Sequence, residues 1–196
     1  FQTGKSKPMK LVSLLPSATE IVAKLGLEKN LAGVSHECDY PESVASLPKL
    51  TSSSINTKSS SADIHQSVMK VMKNAVSVYD LDVELLKSLQ PDFIITQDIC
   101  DVCAVSFEQV EQACQKVLDK NTRIISLKPK RLNDVWDDVQ NVADQLSVSE
   151  KAREFREDVE RRSHEIKTRE KNGSKPKVLT IEWIDPIYIG GMWLPE

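Results

Sequence analysis

The sequence predicts an α/β fold: a parallel-sheet lobe with helices on both faces, followed by a long connecting helix and the start of a second α/β lobe. Three observations carry this. Short β-rich runs alternate with amphipathic segments at helical spacing. The best of these runs, Lys10–Leu15 and Phe93–Thr96, are mostly apolar, as strands buried on both faces are. A heavily charged stretch, Ser149–Lys171, then separates this pattern from a fresh strand at Lys177–Trp183. The expected organisation is residues 1–8 as the remnant of a cleaved tag, 9–147 as a ligand-binding lobe, 148–172 as a rigid connecting helix, and 173–196 as the first strand and loop of a truncated second lobe.

Each element has a local reason. After the first strand, Pro16-Ser17-Ala18-Thr19-Glu20 contains a Ser-x-x-Glu capping box for a helix whose apolar face is Ile21, Val22 and Leu25, and Gly26 ends it where left-handed geometry is wanted. The helix N-terminus at Ser17 suits an anionic or carbonyl group, or is a cap and nothing more. Leu31–Val34 reads as the second strand. The Ser-rich segment from Leu47 to Asp63 reads as an irregular loop. Ala62–Ala75 follows as a helix with Ile64, Val68, Val71 and Met72 on one face, which leaves His65 on the polar side, in solvent. Val76–Tyr79 is a short strand, and Asp82 caps the helix Val83–Leu89. Ser106 and Gln109 form the cap of the helix Phe107–Leu118, on which Cys114 reads as core beside Val110 and Val117. Arg123–Leu127 is a further strand, and Val135, Trp136, Val139, Val142 and Leu146 form the buried stripe of the next helix. Ser149–Lys171 would run roughly 35 Å as a strut.

Two loops carry chemistry. Ser35-His36-Glu37-Cys38-Asp39-Tyr40-Pro41 follows the second strand, and Gln97 to Ser106, with Cys100 and Cys103 in a Cys-x-x-Cys pair around Asp101, follows the strand at Phe93. Both emerge at the carboxyl ends of strands, where open parallel sheets bind ligands. His36, Cys38, Cys100 and Cys103 could close a tetrahedral site for zinc or another transition metal. A thiol redox enzyme built on Cys100 and Cys103 is a third reading, although redox pairs usually open a helix, and here the helix begins after Ser106.

Composition narrows the classes. The net charge of -3 gives no basic footprint for nucleic acid, and no apolar run approaches the roughly 20 residues a bilayer requires. Four cysteines are too few and too uneven for a disulfide scaffold. Phe1–Pro8 is polar, without a signal peptide's apolar region, as the mature form of an exported protein would also be.

The order of one lobe, one long helix and the opening strand of another resembles the substrate-binding proteins of ABC transporters. Leu11-Val12-Ser13-Leu14-Leu15-Pro16-Ser17-Ala18-Thr19-Glu20, Gly33-Val34-Ser35 with Asp39-Tyr40-Pro41, and Leu89-Gln90-Pro91-Asp92 resemble the landmarks of the iron-complex and cobalamin (vitamin B12) branch. His-Glu-Cys-Asp-Tyr-Pro and Cys-Asp-Val-Cys-Ala-Val-Ser resemble a cobalamin-binding subgroup within it. The resemblance implies a binding protein rather than an enzyme. It would hold cobalamin, another corrinoid or a related metal chelate between two lobes and deliver it to a permease outside the cytoplasm. It implies a first wall of Pro16, Ser17, His36, Glu37, Cys38, Asp39, Tyr40, Gln97, Cys100, Asp101 and Cys103, faced by Trp183 and Tyr188, with His36 or a thiolate as axial ligand to cobalt. Glu84 would dock on permease arginines. Glu37 and Gln97 stand where members that clamp a corrin ring carry aromatic side chains. A single lobe has nothing to close against, and a domain-swapped second copy could supply the missing wall.

Overall fold

The computed structural model describes residues 8–73, 78–98, 105–117, 121–169 and 177–190. Among them the elements are β1 (Leu11–Ser13), α1 (Pro16–Lys24), β2 (Leu31–Val34), β3 (Thr51–Ser53), α2 (Ser61–Lys73), β4 (Tyr79–Leu81) and α3 (Val83–Leu89). Then follow β5 (Phe93–Gln97), α4 (Phe107–Val117), β6 (Arg123–Leu127), α5 (Leu132–Gln145), α6 (Ser149–Arg169), β7 (Ile181–Trp183) and β8 (Tyr188–Ile189).

β2, β1, β5 and β6 form a four-stranded sheet in that order, every pair parallel. Alternate residues of these strands enter opposite cores. Leu11, Ile95, Ile125 and Leu127 pack with Ala18 and Val22 of α1, Val139 and Val142 of α5, and Ala152 of α6. Val12 and Ile94 pack on the other side with Leu86 of α3 and Val110 and Ala113 of α4. A strand with two buried faces has little need to alternate apolar with polar residues, which explains the mostly apolar runs. From β1 the chain moves to β2 on one side and later to β5 on the other, so the topological switch point lies at the carboxyl ends of β1 and β5.

Several caps form as the sequence predicts. Asp82 accepts a hydrogen bond from Leu85 N–H at 2.8 Å, and Ser106 and Gln109 satisfy each other's backbone N–H groups at 3.3 Å. Gly26 adopts φ 77° just past α1. The capping box at Ser17 is a correction: α1 begins at Pro16, Leu15 is the N-cap, and no side chain caps it. Proline at the first helical position presets φ and has no N–H to satisfy, which moves the start one residue earlier.

The Ser-rich segment is also more ordered than expected. Its first part is β3, which pairs antiparallel with β4 (Tyr79–Leu81); Val76, the expected start of that strand, lies outside the described residues. This pair forms a sheet separate from the parallel one. α6 ends at Arg169 among the described residues; it is anchored by buried Ala152 and by Phe155, whose ring meets Trp136 edge-on at 6.0 Å. Beyond that anchor, Arg161 pairs with Glu165 at 2.7 Å and with Asp158, contacts internal to the helix. The expected new strand is short, and β7 and β8 form a two-stranded antiparallel hairpin. No helix among the described residues is long and apolar enough to cross a membrane.

Candidate binding groove

The carboxyl end of β1 is built from buried hydroxyls. Ser13 Oγ donates to the Leu15 carbonyl at 3.0 Å, and Thr19 Oγ1 of α1 lies 2.8 Å from Ser13 Oγ and 3.1 Å from Cys38 Sγ. Cys38 is only 2% exposed and belongs to the apolar core beneath the loop. Burial pushes its thiol pKa above the ordinary value, so the neutral form is favoured, whereas a metal ligand must be a thiolate.

His36, two residues earlier, faces other partners. Its Nδ1 lies 2.7 Å from Thr51 Oγ1, which also accepts the His36 backbone N–H at 3.1 Å and lies 2.9 Å from Ser35 Oγ. Its Nε2 is buried 3.2 Å from Glu37 Oε1, within ion-pair reach but without hydrogen-bond alignment. The structure therefore does not turn His36 and Cys38 toward one point. Cys100, Asp101 and Cys103, the rest of the expected wall and metal set, lie outside the described residues. Among the described residues no group of three or more His, Cys, Asp or Glu side chains is placed to hold a metal ion.

The remaining wall residues are spread along the same rim. Pro16 and Ser17 are exposed on the first turn of α1, and Asp39 and Tyr40 are exposed in the β2 loop. Gln97 is half-buried at the end of β5, beside Leu127. Glu84 is exposed in the first turn of α3.

A groove of about 610 Å³ opens between the β3–β4 pair, α2 and the C-terminal hairpin. Ile55, Ile64 and Val68 give it apolar walls, and four ring-bearing side chains line it: Tyr79, His65, Trp183 and Tyr188. The Trp183 indole N–H, 3.2 Å from the Ser61 carbonyl and 3.0 Å from that of Asp185, ties the hairpin to the start of α2. Tyr79 connects the groove to the β2 loop, because the His36 ring packs against it at 5.4 Å. Trp183 and Tyr188 thus close over α2, with Tyr79 between them and the His36 loop.

His65 is the residue that sequence reasoning set aside. It is half-buried, not free in solvent, and its ring packs at 5.6 Å against Tyr188. Its position one residue from Ile64 and three from Val68 puts it at the border of the apolar stripe, a signal that a border residue is covered once another element closes over the helix.

Comparison with known proteins follows the same lines. The family model described as Periplasmic binding protein matches residues 11–193. The uncharacterized ABC transporter substrate-binding lipoprotein YvrC of Bacillus subtilis (strain 168) is 39% identical over 56 residues, 29% of this chain and 18% of that protein. The periplasmic vitamin B12 binding protein BtuF of Vibrio cholerae superposes with a TM-score of 0.60 at 19% identity, over 91% of this chain and 57% of that one. The periplasmic heme-binding protein RhuT from Roseiflexus sp. RS-1, in apo form, does so with a TM-score of 0.58 at 22% identity, over 89% and 55%. These two structures share the fold, and the chain spans little more than half the length of either. Because the family model runs through nearly all of the sequence, this chain belongs to the periplasmic binding protein family.

Proposed function

We propose that the chain is the ligand-binding part of an ABC importer's substrate-binding protein, working outside the cytoplasm and taking cobalamin, another corrinoid or a related metal chelate. The observation that carries this reading is the groove of Tyr79, His65, Trp183 and Tyr188 over an apolar floor. Flat, weakly polar rings stack on flat ligands, and an apolar floor rewards burial of a macrocycle's edge. Relatives named for vitamin B12 and heme are consistent with that chemistry. Pro16, Ser17, the His36–Tyr40 loop and Gln97 are assigned to the adjoining rim, and exposed Glu84 is the contact offered to permease arginines. The role is capture and delivery, not catalysis.

The test is an anaerobic titration of the chain with aquocobalamin and, separately, with hemin, followed by visible absorption and calorimetry. Saturable one-to-one binding of either chelate supports the reading. Stoichiometric zinc uptake with neither chelate bound would replace it with a His/Cys metal protein.

A further inference from the structure

We infer that His36 is a positioning residue for the groove: its imidazole sets the ring of Tyr79, so a wall offered to the ligand is fixed by a side chain that does not line it. The assignment rests on the groove being the chelate's site. Tyr79 and Ser53 line the groove, whereas His36 does not. The link between them follows from strand parity. In the β3–β4 pair Thr51 is opposed to Leu81 and Ser53 to Tyr79. Opposed residues, and residues two apart on one strand, project from the same face. Thr51 and Tyr79 are therefore diagonal neighbours on one face, about 7–8 Å apart at their backbones, too far for a threonine to brace a tyrosine but close enough for a third side chain to bridge them. His36 is that bridge. Its Nδ1 lies 2.7 Å from Thr51 Oγ1, and its ring packs on Tyr79 at 5.4 Å between centroids with the planes 49° apart. The His36 backbone N–H, donating to the same Thr51 oxygen at 3.1 Å, fixes the base of the side chain.

The fold makes such a brace necessary. β3 and β4 form a two-stranded sheet separate from the parallel one, and a two-stranded pair is marginally stable by itself. The plane of a ring at its end depends on what holds it from outside. Tyr79 borders the open 610 Å³ of the groove, so a flat ligand meets a wall of defined orientation only if that orientation is set before the ligand arrives. Without the imidazole the tyrosine has more rotamers to lose on binding, which weakens affinity without unfolding the lobe. His36 offers the ligand no nitrogen of its own, because Nδ1 is engaged by Thr51 and Nε2 is buried 3.2 Å from Glu37 Oε1. It acts through Tyr79.

The experiment titrates aquocobalamin and hemin by calorimetry into the full chain as wild type, His36→Asn, His36→Phe, Tyr79→Ala and the His36→Asn/Tyr79→Ala double variant, with a urea midpoint for each. Asparagine puts an amide where Nδ1 stands, so it keeps the bond to Thr51 and removes the ring. Its midpoint is expected close to wild type, while its affinity for the chelate that the wild type binds falls about 3- to 10-fold. Phenylalanine does the reverse: it is expected to lower the midpoint and to recover most of the affinity. In the Tyr79→Ala background, His36→Asn is expected to cost no further affinity. A second readout needs no ligand. With fluorotyrosine incorporated, the fluorine resonance of Tyr79, assigned among the three tyrosines by Tyr79→Phe, is expected to shift in His36→Asn. Wild-type affinity in His36→Asn, an equal loss with and without the Tyr79 ring, or an unmoved fluorine resonance would overturn the positioning role and leave the groove reading in place. Failure of the wild type to bind either chelate would remove the groove reading and this assignment with it.

Discussion

Thr51 Oγ1 lies 2.7 Å from His36 Nδ1, so a residue on β3 fixes the ring orientation of a residue in the loop that follows β2. The same oxygen is 2.9 Å from Ser35 Oγ and accepts the backbone N–H of His36. Thr51→Val keeps the shape and deletes the hub, leaving the buried Ser35 hydroxyl and the His36 N–H short of a partner. The expected loss is about 1–3 kcal/mol of stability by urea denaturation, with Thr51→Ser close to wild type. An unchanged midpoint in Thr51→Val would show that water replaces the hub.

Gly33 is required by close approach. A Cβ added there would fall well inside van der Waals contact of Leu50 Cδ1 and 3.0 Å from Leu89 Cδ1. Leu50 is fully buried and has little room to retreat. Gly33→Ala should therefore cost about 1–3 kcal/mol. The clash is specific, so Gly33→Ala combined with Leu50→Ala should be less destabilised than the sum of the two single variants. Strict additivity in that cycle would refute the contact.

Cys114 makes stability depend on alkaline pH. Burial pushes its thiol from 9.0 up to about 11. A folded-state pKa raised in this way contributes stability that is fully present below the unfolded value and is lost as pH rises toward the folded one. The denaturation midpoint should fall between pH 9.0 and about 11, with a smaller slope in Cys114→Ala. Cys38, raised by burial as well, should resist alkylation at neutral pH until the chain unfolds.

Trp183 holds the hairpin to α2 through one indole N–H shared by two carbonyls. Trp183→Phe keeps an aromatic face and removes the donor. Hydrogen exchange should accelerate about 10-fold at the Gly190 N–H, which donates to the Thr180 carbonyl at 3.0 Å, while amides of β5 stay protected. Equal acceleration at both places would mean that the variant loosens the whole lobe.

The parallel sheet was legible because each strand with two buried faces spells itself out as an apolar run, and the helices because their caps are local. Asp82, Gly26 and the Ser106–Gln109 pair act within a few residues of themselves, which is the range over which sequence speaks directly. β3 was missed because Thr51-Ser52-Ser53 has no apolar face; it is a strand through its pairing with Tyr79–Leu81 and the burial of the Thr51 hydroxyl. Cys38 reads as a loop residue beside a histidine, and its burial depends on Thr19 and the core below, which spacing does not reveal. His65 was misplaced for a similar reason. What covers it, Tyr188, lies more than a hundred residues away, and so does the Trp183 contact to Ser61.

The position of β1 has a kinetic consequence. It is a central strand whose neighbours are β2 and β5, and Lys10 N–H is satisfied by the Asp92 carboxylate across a separation of 82 residues. The strand can be zipped on one side soon after it is made, but its other edge waits for the whole excursion through β3, α2, β4 and α3 to be synthesised. Closing so long a loop before its contacts reward it places the entropic barrier to folding at the β1–β5 seam. Core variants at Ile94 or Ile95 should slow refolding, while variants in the hairpin should leave its rate unchanged.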